Sequence, residues 1–126
     1  MNELSPFDTP TSAATRFGIE IVAWVAGPWA AADLAGSWVA AIPTLLVLVA
    51  LPAVFNTPGD KQVTGIATPG PIRIVIEMLL AVVAVRAAWV VWPAEAGLFV
   101  TGLALTMVVS GFPRYRWLAA GAPPQR

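Results

Sequence analysis

Residues 71–92 read PIRIVIEMLLAVVAVRAAWVVW, an almost wholly apolar run of 22 residues that still carries Arg73, Glu77 and Arg86. At ~1.5 Å rise per residue it can cross a hydrocarbon core of about 30 Å, which predicts a transmembrane helix. Its opening, Arg-x-x-x-Glu, recurs at Arg16 and Glu20, again at the head of an apolar run. The chain therefore reads as two copies of a helix pair.

Composition agrees. Of the 126 residues, 58% are hydrophobic and 11% charged, whereas a soluble domain carries roughly a quarter charged residues. Seven acidic and seven basic side chains cancel, so charge suggests no nucleic-acid partner. The chain has neither cysteine nor histidine, which excludes Cys/His zinc sites, cysteine nucleophiles, Ser-His-Asp triads and haem histidines, and no cofactor is expected. Residues 1–15 lack the basic start of a secretory signal, and Glu20 interrupts the following apolar stretch, so the first run reads as a retained helix.

Outward from the 71–92 run, the expected order is a flexible lead over 1–13, then spans over about 14–32, 38–55, 71–92 and 97–112. A loop over 56–70 separates the two pairs, and a tail over 113–126 closes the chain. Pro43 and Pro52 inside the second span should bend it without breaking it, because neighbouring helices can satisfy the freed carbonyls. The N-terminal flank, the long loop and the tail hold Arg16, Lys61, Arg73, Arg114, Arg116 and Arg126, and the short connections hold no basic residue. The positive-inside rule then puts both termini and the long loop in the cytoplasm. Trp29, Trp38, Trp89 and Trp92 fall at the opposite interface, with Tyr115 and Trp117 at the cytoplasmic one.

A shift of 57 residues lays Arg16 on Arg73, Glu20 on Glu77, Thr44 on Thr101 and Phe55 on Phe112. A unit of two spans inserts each copy in the same orientation, giving a parallel repeat. At about 100° per residue, Glu20 shares a face with Ala23, Gly27 and Ala31, and Glu77 with Ala81, Ala84 and Ala88. Small residues let helices approach in lipid, so these faces are expected inside the bundle, with Gly102, Thr106 and Ser110 as the matching stripe of the fourth span.

Two chemistries are open to Arg16, Glu20, Arg73 and Glu77. Arginine and glutamate four residues apart on a helix form local ion pairs. Intramembrane carboxylates can instead carry a proton or cation. Arg86 has three readings: it snorkels to the outer headgroups, pairs with Asp33, or contacts an anion or lipid. Pro58-Gly59-Asp60-Lys61 is a charged turn without a phosphate-loop pattern.

Arg16-Phe17 with Glu20, Phe55-x-x-Pro58, and Pro71-x-Arg73 with Glu77 together resemble the YrdB-like family of small bacterial four-span proteins. That resemblance implies an all-α, four-helix integral membrane fold and brings no activity with it. The expectation is a non-enzymatic accessory or interaction subunit, or a homo-oligomer, with the lipid bilayer and other membrane protein as partners and no nucleic acid. The alternative is a small cation- or proton-coupled transporter using Glu20 and Glu77.

Overall fold

In a computed structural model, residues 6–60 and 65–124 are described, and they are almost entirely helical. Lys61 and Arg126 lie outside the described residues. Helix α1 spans Pro10–Ala35, a 3-10 turn over Trp38–Ala40 leads into α2 at Ala41–Val54, and α3 spans Gly70–Val91. Helix α4 follows at Ala94–Ser110 and α5 at Phe112–Ala119. Two short strands, β1 at Phe55–Asn56 and β2 at Ile66–Ala67, pair in parallel and draw together the ends of the loop between α2 and α3.

Helix α1 starts ahead of the expected residue 14, because Thr9 caps it. The Thr9 side chain accepts a hydrogen bond from the Ser12 amide at 3.0 Å, and Pro10 occupies the first turn, where its missing N–H costs nothing. Contacts along the helices give their directions. Trp24 of α1 reaches Leu48 of α2, Ser12 lies against Gly111 beyond the far end of α4, and Trp89 of α3 donates to Thr101 of α4. Helices α1 and α3 thus run one way, and α2 and α4 the other.

The core between them is rich in alanine: Ala23, Ala81, Ala84 and Ala88 pack with Ile19, Leu48, Ile76, Leu80, Val100 and Met107. Small side chains bring the helix backbones close and leave the large apolar ones outside. Ile42, Leu46, Val82, Leu98, Leu105 and Val109 are all exposed, the reverse of a soluble protein's surface. By length and composition, α1 and α3 can each cross a membrane, and α4 with α5 makes a third candidate if the bent pair is one span. Helix α2, with its leading turn, is a shorter apolar helix over Trp38–Val54.

Pro52 illustrates how the bundle answers its own sequence. Proline has no N–H to offer the carbonyl four residues back, so Leu48 would lose its helical donor. The Trp24 indole supplies one, Nε1 donating to the Leu48 oxygen at 3.0 Å. The expectation that a neighbouring helix satisfies the freed group holds at this proline.

All of α5 but its first residue lies in the segment expected as a tail over 113–126. Pro113 cannot continue the α4 hydrogen-bond ladder, and the chain turns by 58° between the two helices. Tyr115, Trp117 and Leu118 of α5 then pack on Ile74 and Met78 of α3. Gly70 permits this docking, since a Cβ there would collide with the Leu118 carbonyl.

Candidate functional site

Four charged side chains meet beneath α5. Arg73 and Glu77 stand one turn apart near the start of α3, where residues at i and i+4 share a face. Arg114 enters from α5, and Asp60 from the turn after β1, where its amide donates to the Thr57 carbonyl at 3.1 Å. All four side chains are 1–2% exposed.

Arg114 is the hub. Its Nη1 donates to Glu77 Oε1 at 2.9 Å and its Nη2 to Glu77 Oε2 at 2.7 Å. Its Nε donates to Asp60 Oδ1 at 2.7 Å and Nη2 also to Asp60 Oδ2 at 2.6 Å. Arg73 extends the network, its Nε donating to Glu77 Oε2 at 2.9 Å. Its Nη1 donates to the carbonyls of Pro52 and Phe55, both at 2.9 Å.

The last two bonds cap a helix. Carbonyls in the final turn of α2 have no intrahelical donor. Arg73 takes those of Pro52 and Phe55, and Asn56 Nδ2 takes that of Ala53 at 2.9 Å. The network therefore ties the end of α2, the loop, α3 and α5 into one unit. Two guanidinium and two carboxylate groups leave it formally neutral. Burial opposes the Arg114 charge, but the hydrogen bonds from Arg114 to Glu77 and Asp60 outweigh it and hold its pKa above the ordinary value.

Such an arrangement clamps. Every carboxylate oxygen of Glu77 and Asp60 already accepts a charge-assisted bond. Among the described residues no group of three or more His, Cys, Asp and Glu side chains could hold a metal ion.

The first copy of the Arg-x-x-x-Glu motif is used differently. Arg16 reaches back to the lead and pairs with Asp8, Nη2 to Oδ2 at 2.8 Å. Burial would raise the Asp8 carboxyl, but hydrogen bonds from Arg16 and Ser12 prevail and hold it below its usual 3.8. Glu20 is half-buried one turn further along α1.

Other sequence candidates divide. Gly27, Ala84 and Ala88 are buried and Ala31 is half-buried. Gly102 and Thr106 are exposed, and Ser110 is half-buried. The Thr106 and Ser110 hydroxyls donate to carbonyls of their own helix, those of Gly102 and Thr106. Helix α4 instead buries Gly97, Val100 and Met107, a stripe roughly 140° round from the expected one. Asp33 and Arg86 are both exposed and border one groove at the far end of α1 and α3, without an ion pair between them.

Aromatic residues collect at the two ends. Trp29 lies 6.4 Å from both Trp38 and Trp92, ring centre to ring centre, and Phe7 lies 6.4 Å from Trp117 at the network end. Sequence reasoning singled out Arg73 and Glu77 but used Arg114 only for orientation, Asp60 only as part of a charged turn, and Asp8 not at all. The Thr9-Pro10 cap signal would have exposed Asp8, since it extends α1 back to within reach of it. The chain matches no protein-family model, no curated protein and no solved structure.

Proposed function

We propose that the chain is a four-helix membrane module of a bacterial inner membrane, acting as a non-enzymatic interaction subunit or homo-oligomer whose cytoplasmic end is locked by the Arg73, Glu77, Arg114 and Asp60 network. The observation that carries this reading is the saturation of Glu77. A carboxylate that shuttles protons must gain and lose one within its working cycle. Three hydrogen bonds from two arginines oppose that gain.

Exposed apolar side chains on all sides support a lipid surround, and indoles gathered at the end opposite the buried arginines support an inside-to-outside polarity. Helix α2 is short, and the polar β1–β2 loop sits at its network end, so the spanning role of α2 rests on its pairing with α1 rather than its length. Of the residues on which the YrdB-like resemblance was read, Arg73 bonds both Glu77 and the Phe55 carbonyl, which supports a packing role for those three.

Reconstitution in liposomes tests the proposal. The unaltered protein should carry no substrate-dependent proton flux, and Glu20→Gln with Glu77→Gln should lower its stability and assembly. A flux that disappears in a double variant of normal stability would replace the module reading with a transporter.

A further inference from the structure

Helices α1 and α3 border a groove of about 510 Å³ at the end remote from the ion-pair network. Gly27, Ala30 and Leu34 form one wall, Val83, Ala87 and Val90 the other. These fall at i, i+3 or i+4, and i+7 on each helix, so the groove follows the two helices lengthwise. At Gly27 the two walls meet, since a Cβ there would lie 2.7 Å from Leu48 Cδ1 and 3.1 Å from Val83 Cγ1, and the room for an alkyl chain opens from Ala30 outward.

Two opposite charges stand on this apolar groove. Asp33 and Arg86 both line it, both are exposed, and the ion pairs among the described residues use neither. Their depths differ. Asp33 is two residues from the end of α1 and Arg86 five from the end of α3, or ~3 Å and ~7.5 Å along the helices. The cation therefore lies deeper than the anion. Trp29, Trp38 and Trp92 cluster at this same end, the depth at which indoles meet the headgroup region.

A complementary ligand has an alkyl chain, then a negative group, then a positive group further out. That is the order of a phospholipid with an amine headgroup. We propose that the groove binds one outer-leaflet phospholipid bearing a primary amine, its phosphate on Arg86, its ammonium on Asp33 and an acyl chain along the α1–α3 walls. A glycerol headgroup offers Asp33 no cation. A choline headgroup shields its charge behind methyl groups and has no N–H to donate. This site rests on the reading that α1 and α3 cross a bilayer.

Thermal unfolding in detergent micelles doped with phosphatidylethanolamine, phosphatidylcholine or phosphatidylglycerol of matched chains tests the site. Phosphatidylethanolamine should raise the midpoint most and bind about tenfold more tightly than the other two, the worth of one charge-assisted hydrogen bond. Arg86→Gln should weaken all three lipids, and Asp33→Asn should erase the preference for the amine. Ala30→Phe, which fills the groove, should remove the effect without touching either charge. Equal midpoints for the three lipids, or a preference for phosphatidylglycerol, would overturn the site. An alkaline wash separates the two readings: protein that is released from membranes was not spanning them, whereas protein that stays but ignores the headgroup lacks only the lipid site.

Discussion

Arg114 holds both oxygens of Glu77 at 2.9 and 2.7 Å across 37 positions of the chain, joining α5 to the cytoplasmic end of α3 in the orientation proposed above. The pair is buried, so its removal strands a charge. Breaking a buried pair from one side costs about 3–5 kcal/mol, far more than the pair's net worth against apolar replacements. Arg114→Gln should therefore lower the thermal midpoint sharply in detergent and expose Trp117 to quenching. Arg114→Lys keeps the charge but loses the planar fork that serves Glu77 and Asp60 together, and should recover only part of the loss. Equal stability of Arg114→Lys and the unaltered protein would show that the fork geometry is irrelevant.

The Trp24 indole and Pro52 make a conditional prediction. Trp24→Phe leaves the Leu48 carbonyl without a donor and should cost about 1–3 kcal/mol. In a Pro52→Ala background the restored amide can take that carbonyl, so the same substitution should cost visibly less. Chemical unfolding of the four proteins checks this. An identical penalty in both backgrounds would mean the indole contributes only packing.

Asp8 predicts a pH dependence. Its folded pKa lies below the unfolded value of 3.8, so the Asp8–Arg16 pair contributes stability that is fully present above that value. The contribution is lost as pH falls from there through the lower folded value. Asp8→Asn should flatten this part of the stability profile while leaving stability near neutral pH reduced but constant. A variant profile that parallels the unaltered one down to the acid end would assign the dependence to another group.

Two glycines of α3 and α4 should respond oppositely. Gly70→Ala drives a Cβ into the Leu118 backbone and should undock α5, with a loss of about 1–3 kcal/mol from overpacking. At Gly102 a Cβ meets nothing within 4 Å, and alanine is the better helix former, so Gly102→Ala should not destabilise. Melting curves decide it: a larger loss at Gly102 than at Gly70 contradicts the placement of α5.

Much of this was readable from the residues in order. The apolar run after Pro71 announced α3, and the four-residue spacing announced the Arg73–Glu77 pair. The first span was read over 14–32, short of both ends of α1 at Pro10–Ala35. What could not be read depends on the chain folding back. Residues 112–119 carry two arginines in eight positions and look like a solvated tail until the bend after Ser110 lays them against α3. Arg114 and Asp60 are 54 positions apart, a distance no local pattern spans. The inward face of α4 was misjudged because a run apolar all round carries little angular signal, and the hydroxyls of Thr106 and Ser110 proved content with their own helix.

The same geometry separates the two copies of Arg-x-x-x-Glu. Near α3 the motif is covered by α5 and becomes part of the buried network. Near α1 the covering element is the short lead, which supplies Asp8 to Arg16. A 57-residue echo in sequence thus serves two different contacts, whatever its origin.

A double-mutant cycle between Glu77→Gln and Arg114→Gln, read by thermal unfolding of the detergent-purified protein, tests most directly whether this carboxylate is a clamp. The account predicts two large single penalties and a double variant much less destabilised than their sum, with a coupling of about 1–3 kcal/mol. Penalties that add to within about 0.5 kcal/mol would contradict it, because residues that do not depend on each other cannot be the joint between α3 and α5.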